Sequence, residues 1–231
     1  MTLFPRLPRL CVFKNSLDIN WCETRILDYG GNRGNLLEDL VEELDYDPSL
    51  YTSVDVDAEA LQAGKEKYPQ ANWIHHDAYN PVYNTCGLSK SKLPLDDNSF
   101  DIATAYSVHS HAILDDVLWD IQELLRVSKH CVTTSFVDKT ILNYFIIKRQ
   151  QQSGVSASFQ DFDDNKLVSY YINNDIVVDH FDAGAHKQID HFVTVFNPQL
   201  LVKFLSMQNL TVKMHPQLNC YFQPTLTIYK H

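Results

Sequence analysis

The stretch Arg25-Ile-Leu-Asp-Tyr-Gly-Gly-Asn-Arg-Gly-Asn-Leu-Leu37 predicts a strand, a glycine-rich turn and a helix in direct succession. The apolar start ends at Asp28, and three glycines follow, Gly30, Gly31 and Gly34. Apolar residues then recur at helical spacing, at Leu36, Leu37, Leu40, Val41 and Leu44. Because glycine has no Cβ and tolerates positive φ, this turn lets the backbone approach a ligand and directs free helix N–H groups towards it.

A second acid stands at the distance that nucleotide-binding folds use. The run Tyr51-Thr-Ser-Val-Asp-Val-Asp57 predicts a strand that ends in acids. Asp55 lies about twenty residues after Gly34, where a carboxylate accepts hydrogen bonds from ribose hydroxyls in such folds. The glycine-rich turn and this acid together favour a nucleotide-like ligand over a turn that binds nothing.

Composition limits the possible functions. The 231 residues suffice for one domain with a full core, or for one domain and a lid. With 19 basic and 29 acidic residues the net charge is −10, which disfavours a nucleic-acid partner. The five cysteines include no CxxC pair, which is typical of free thiols in a reducing compartment. No signal peptide or membrane-spanning run is visible, so we expect a cytoplasmic protein.

The rest of the chain predicts alternating helices and strands after a lead-in over residues 1–24, which could cover a ligand. Helices are predicted over 58–67 with Asp57 as the cap, after a cap at Asp115 or Asp116, over 141–148, and from Asn197 onwards. Further strands are predicted at 72–75, 101–105, 131–136, about 210–214 and 225–229. A polar linker over 149–154 and a hairpin of 167–172 with 176–180 complete the pattern.

Several motifs resemble those of class I S-adenosylmethionine (SAM)-dependent methyltransferases. The pattern D-x-G-x-N-x-G from Asp28 resembles motif I of this family, with Asn32 in place of the middle glycine. The segment Leu93-Pro-Leu-Asp-Asp-Asn-Ser-Phe-Asp101 resembles the family's lead into its fourth strand. Glu123-Leu-Leu-Arg-Val127 resembles another family stretch, although Ser128-Lys-His130 replaces the usual Pro-Gly-Gly turn. The resemblance covers 25–137 by motif and 197–231 by pattern only.

The resemblance implies an α/β fold: a Rossmann-like, seven-stranded, mostly parallel sheet with helices on both faces. The whole chain would be one methyltransferase domain, and residues 138–196 would form an inserted substrate lid. The cofactor would be SAM, held where the strands of an open α/β sheet end.

The resemblance also assigns roles to single residues. The three glycines and Asn32 would approach the amino-acid tail and the ribose of SAM, and Asp28 would order the turn and face the tail's ammonium. Asp55 would bind the ribose hydroxyls and Val56 would pack on adenine. The remaining contacts would come from Asp77 and Ala78 to adenine, and from Tyr106 and Ser107 to the methionine half.

Two histidines follow the predicted fourth strand, close to the expected methyl group. His111, and after it His109, could act as the base that takes a proton from the methyl acceptor, because histidine titrates near neutral pH. The alternative is that both only order their loop. The predicted lid holds His180, Asp182, His186 and His191, but their spacing matches no metal motif, so we expect no metal site.

The sequence therefore predicts a SAM-dependent methyltransferase that acts on a hydroxyl, amine or carboxylate of a small molecule, such as a natural product or a peptide. One alternative is a protein or peptide methyltransferase, which would have an open groove. Another is a catalytically silent binding protein of the same fold. A nicotinamide-dependent enzyme is disfavoured, because Asp28 would repel a pyrophosphate. The oligomeric state is open.

Overall fold

A seven-stranded sheet forms the centre of the structure, a computed structural model that describes residues 9–14, 16–80, 83–152, 162–172, 176–178, 192–215 and 223–230. The helices are α1 (Arg9–Lys14), α2 (Asn35–Leu44), α3 (Ala58–Lys67), α4 (Leu114–Val127), α5 (Lys139–Gln152) and α6 (Pro198–Met207). The strands are β1 (Ile26–Tyr29), β2 (Tyr51–Asp55), β3 (Asn72–His75), β4 (Phe100–Ala105), β5 (Ser128–Ser135), β6 (Val168–Ile172), β7 (Ile176–Val178), β8 (Phe192–Phe196), β9 (Thr211–His215) and β10 (Thr225–Tyr229).

The strand order of the large sheet is β3-β2-β1-β4-β5-β10-β9. The strands β1 to β5 run parallel, and β10 runs antiparallel to both of its neighbours. The predicted Rossmann-like, mostly parallel sheet is thus confirmed. Since β1 lies between β2 and β4, the loops that follow these three strands emerge side by side at one edge of the sheet.

Strand β1 faces two separate cores because its side chains alternate between the two sides of the sheet. Ile26 packs with α1 and α2 on one side, where Leu36, Leu37 and Leu40 are fully buried. Leu27 and Tyr29 pack with α4 and α6 on the other side. The two faces are therefore both covered by helices, as the sequence predicts.

A partly buried arginine joins the two family-like motifs of the middle of the chain. Arg126, near the end of α4, donates from Nη1 to the Leu95 carbonyl (2.8 Å) and to Asp97 (2.6 Å), and from Nη2 to Glu123 (2.5 Å). Glu123 Oε1 also accepts from the Leu93 N–H at 2.7 Å. The pair from α4 thereby fixes the loop that leads into β4.

The segment between β5 and α6 forms a second, three-stranded sheet of order β7-β6-β8. The predicted hairpin is confirmed by the antiparallel pairing of β6 with β7, and its turn at 173–175 lies outside the described residues. Thr194 on β8 donates to the Ala112 carbonyl (2.6 Å), and Tyr170 on β6 accepts from the Leu114 N–H (3.2 Å). This small sheet is therefore attached to the loop after β4.

The structure corrects three local predictions. Neither Asp115 nor Asp116 caps α4, because the helix begins one residue earlier and the Tyr170 hydroxyl accepts from its first N–H; both acids lie in the first turn. The polar run 149–152 is helical and continues α5. The fifth strand begins at Ser128, directly at the end of α4, and not at the predicted Cys131.

Helix α6 begins as predicted, with Asn197 accepting hydrogen bonds from the N–H groups of Gln199 and Leu200 and with Pro198 as the first helical residue. No helix within the described ranges is both long and apolar enough to cross a bilayer.

Candidate functional site

A cavity of about 390 Å³ lies where β1, β2, β3 and β4 end. The loops after these four strands line it, and Arg9 of α1 together with Lys90, Asp116 and Asp120 completes the wall. Of the predicted site residues, eight line this cavity: Gly30, Asn32, Asp55, Val56, Ala78, Tyr106, Ser107 and His111. The volume is in the range of ordinary small-molecule sites.

The glycine-rich turn directly after β1 contains three residues with positive φ angles. Gly30 and Gly34 have φ angles of +70° and +79°, and Asn32 has a φ of +54°. A Cβ on Gly30 would overlap the side chain of Val108 in the loop after β4. Asparagine is among the few residues that tolerate this left-handed conformation, which explains how Asn32 replaces a glycine here. Gly34 is the N-cap of α2, lies beside the Trp73 ring and does not line the cavity.

Asp55 closes the turn onto the end of β2. Its Oδ2 accepts from the Asn32 N–H at 2.7 Å, and its Oδ1 accepts from the Asp57 N–H at 2.9 Å. Burial raises the pKa of Asp55, while these two N–H groups act in the opposite direction. Each carboxylate oxygen keeps a second lone pair, so Asp55 can accept two further hydrogen bonds from a ligand in the cavity.

Asp28 lies beneath the turn and does not line the cavity. It is 1% exposed, and it accepts hydrogen bonds from the Tyr51 hydroxyl and from Thr104 Oγ1, the latter at 3.0 Å. Gly31 covers it, since a Cβ on Gly31 would lie 3.0 Å from Asp28 Oδ2. Burial raises the pKa of Asp28 despite the nearby Arg9 charge. The structure therefore places this acid beneath the turn as its support, and the predicted contact of Asp28 with the ammonium of SAM remains a prediction.

Asp77 does not line the cavity, whereas its neighbour Ala78 does. The Asp77 side chain is exposed and accepts from Asn84 Nδ2 at 2.8 Å. The Asp77 carbonyl also accepts from the Leu88 N–H at 2.9 Å. Both the side chain and the backbone carbonyl of Asp77 are thus engaged within the loop after β3.

The loop after β4 contains a residue in an unfavourable backbone conformation. Ser107 lines the cavity and has a φ of +61°. Its N–H donates to Ser135 Oγ at 2.8 Å, and its own Oγ accepts from Gln223 Nε2 at 2.9 Å. Contacts from β5 and from the residues before β10 thus hold Ser107 in place, and such strain is found preferentially at functional sites.

The two histidines after β4 have different surroundings. His111 lines the cavity, where its ring meets the Tyr83 ring edge-on at 5.4 Å. His109 is fully buried, stacks on Phe136 at 5.5 Å and does not line the cavity. Its Nδ1 lies 2.8 Å from Thr134 Oγ1, whose proton goes to the Ala105 carbonyl, so this network assigns the proton to Nδ1. Burial lowers the pKa of His109 to about 3.

A buried polar cluster on the α4 side of the cavity was not expected from the sequence. Asp120 Oδ1 accepts both from Tyr29 (2.8 Å) and from Lys90 (2.7 Å). Burial raises the pKa of Asp120 to about 6, against the opposing effect of Lys90. These residues come from β1, from the loop before β4 and from α4, and no sequence motif joins them. The sequence indicates only one part of this cluster: Tyr29 directly follows Asp28, so its side chain lies on the opposite face of β1, which is the face that packs against α4.

No metal centre is apparent in the described part of the chain, where no three histidines, cysteines or acids are grouped to hold an ion. His180, Asp182, His186 and His191 of the predicted lid lie outside the described residues. Among the described residues of 138–196, none lines the cavity, so the lid remains a prediction.

One known protein family matches the part of the chain that forms this cavity. The model of the methyltransferase domain family matches residues 27–132, which hold almost all of the cavity wall. No curated protein sequence matches the chain.

Several solved structures are similar in fold. Magnesium protoporphyrin IX methyltransferase from Synechocystis, with bound S-adenosylhomocysteine (SAH), is 10% identical with a TM-score of 0.52, over 96% of this chain and 79% of that one. A possible histamine N-methyltransferase from Thermotoga maritima is 13% identical with a TM-score of 0.52, over 97% and 88%. A putative methyltransferase from Haloferax volcanii, in complex with the Trm112 methyltransferase activator, is 11% identical with a TM-score of 0.54, over 95% and 86%.

Burial of the His109 ring predicts that this histidine stays neutral between pH 8 and pH 5. Because burial lowers the pKa of His109 from 6.5 to about 3, the unfolded chain binds a proton that the folded protein does not. The free energy of unfolding should therefore fall below pH 6.5, by up to about 1.4 kcal/mol per pH unit for this one site. Side-chain ¹⁵N NMR between pH 8 and pH 5 should show His109 as the neutral Nδ1–H tautomer throughout. A His109 signal that titrates near pH 6.5 would contradict this placement.

Proposed function

We propose that this chain is a class I SAM-dependent methyltransferase and that it methylates a hydroxyl, amine or carboxylate of a small molecule such as a natural product or a peptide. The observation that carries this proposal is the cavity, in which the glycine-rich turn, Asp55 and His111 meet. Its size suits a cofactor with a small acceptor. The net charge of −10 argues against a nucleic-acid acceptor. We also propose a cytoplasmic location.

The residues that line the cavity fit SAM. Gly30 and Asn32 line the cavity, so their backbone can contact the amino-acid tail, and only glycine fits at position 30 because a Cβ there would overlap the Val108 side chain. The spare lone pairs of Asp55 suit the two ribose hydroxyls, and Val56 and Ala78 give an apolar surface for adenine. Asp77 does not line the cavity, so the backbone and the Asn80 side chain of this loop would have to recognise the adenine amino group instead.

When bound, SAM supplies a methyl group on a cationic sulfonium that leaves as a neutral thioether. The protein then has to hold the acceptor in line with that methyl group and keep water away. Ser107 and Val108 form the cavity wall after β4, and the strained backbone of Ser107 is fixed by Ser135 and Gln223. A rigid wall at this place would position the acceptor.

An acceptor that carries a proton needs a group to take it. We assign this role to His111, which is partly exposed in the cavity and whose backbone carbonyl accepts from Asn80 Nδ2 at 3.1 Å. His109 has no access to the cavity, and its low pKa leaves it neutral, so it supports the loop through Thr134.

The cofactor assignment predicts a strong effect of Asp55→Ala. Calorimetric titration of SAH into the intact protein should show binding, and the variant should bind at least about tenfold more weakly, because it loses two charge-assisted hydrogen bonds. Its free energy of unfolding should also fall by roughly 1–3 kcal/mol, since the N–H groups of Asn32 and Asp57 lose their acceptor. Glu59→Ala, which removes an exposed acid from α3, is the control and should leave both quantities unchanged.

A protein that binds neither SAM nor SAH would refute the cofactor assignment. Equal SAH affinity of the intact protein and of Asp55→Ala would refute the role of Asp55.

The assignment of His111 as the base predicts a separation of binding from turnover. His111→Ala should keep the SAH affinity and lower kcat by roughly 10²- to 10⁴-fold with an acceptor that loses a proton. Screening of small hydroxyl, amine and carboxylate compounds with radiolabelled SAM would supply that acceptor. A kcat equal to that of the intact protein would exclude His111 as the base, and transfer to proteins alone would favour the alternative of a protein methyltransferase.

A further inference from the structure

The N-terminal helix is tied directly to the helix that follows the glycine-rich turn. Asp39 on α2 accepts from the Arg9 N–H at 2.6 Å and from the Leu10 N–H at 3.3 Å, and so satisfies the first free amides of α1. Leu10 and Phe13 are fully buried in the core that also holds Leu36. The start of α1 is therefore placed relative to the turn by both hydrogen bonds and packing.

This placement brings the Arg9 side chain into the cavity wall. Its guanidinium carbon lies 5.2 Å from the centre of the Tyr106 ring, in the geometry of a cation–π contact. Its Nη1 atom is buried and has no hydrogen-bond partner within the described part of the chain. A buried guanidinium nitrogen without an acceptor is costly, so an acceptor is expected from a ligand.

The cavity contains two cationic side chains among its lining residues, and they differ in their partners. Lys90 is engaged by Asp120 at 2.7 Å on the α4 side. None of the ion pairs between described residues includes Arg9. The two carboxyl groups nearest the turn are also engaged elsewhere, Asp28 by two hydroxyls and Asp55 by two backbone N–H groups. Arg9 is therefore the cation near the glycine-rich turn that can pair with an anionic group of a ligand.

We propose that Arg9 binds the carboxylate of the methionine tail of SAM, and that α1 thereby makes the cavity selective for adenosyl compounds that keep this tail. The inference rests on the proposed function, because it assumes that SAM occupies the cavity with its tail at the glycine-rich turn. A guanidinium offers two parallel N–H groups to a carboxylate. The cation–π contact with the Tyr106 ring would keep the Arg9 guanidinium in a fixed orientation. Tyr106 would therefore act through Arg9 as a positioning residue.

Calorimetric titration with two ligands tests this assignment. SAH carries the amino-acid tail, whereas 5′-methylthioadenosine has the same adenosine and thioether without it. Arg9→Gln should weaken SAH binding by roughly 10- to 100-fold, because a charge-assisted bidentate contact is lost, and should leave methylthioadenosine binding unchanged. Arg9→Lys should bind SAH with intermediate affinity, since it keeps the charge without the planar fork. Lys14→Gln is the matched control: it removes one cation from the same helix, where Lys14 pairs with exposed Glu43 at 3.1 Å.

The outcomes separate the two proposals. Equal SAH affinity of Arg9→Gln and the intact protein would overturn the role of Arg9 and leave the methyltransferase function standing. Equal losses for SAH and methylthioadenosine would also overturn it, because they would show that Arg9 supports the cavity as a whole. An intact protein that binds neither ligand would overturn both the function and this inference.

Discussion

The carboxylate of Asp55 connects the glycine-rich turn to the end of β2 in the wall of the proposed cofactor cavity. By accepting one N–H from the glycine-rich turn and one from the start of the next loop, it joins the ends of β1 and β2 into a single wall. Asp28 supports the same turn from below, where Tyr51 and Thr104 satisfy its buried oxygens. Two acids that a motif search treats as ligand contacts thus serve first as acceptors for the protein's own donors, and only Asp55 also reaches the cavity.

Features that depend on local chain chemistry could be predicted from the sequence. The turn at Gly30, the cap at Asp57 and the helix start at Asn197 each follow from one or two residues whose conformations are restricted. The seven-stranded, mostly parallel sheet followed from the resemblance to a family, and the sequence predicted no strand order because strand pairing is set by contacts between distant segments. The departure at Asn32 is harmless because asparagine tolerates a φ of +54°.

Features that depend on long-range packing could not be predicted. Asp77 has the residue type and the position of an adenine ligand, yet its carboxylate accepts a hydrogen bond from Asn84 and does not line the cavity. His109 and His111 are two residues apart, but the sequence does not show that one ring stacks on Phe136 in the core while the other faces Tyr83. Arg9 and the Lys90–Asp120 pair reach the cavity from segments that carry no motif.

We propose the cavity around the glycine-rich turn as the cofactor site, and hydrogen exchange followed by mass spectrometry tests this location directly. Saturating SAH should slow amide exchange in residues 30–34, 55–57 and 106–111, and should leave exchange in α6 and β9 unchanged. SAH binding without any protection of the 30–34 turn, or protection confined to the small sheet of β6 to β8, would show that the cofactor binds elsewhere.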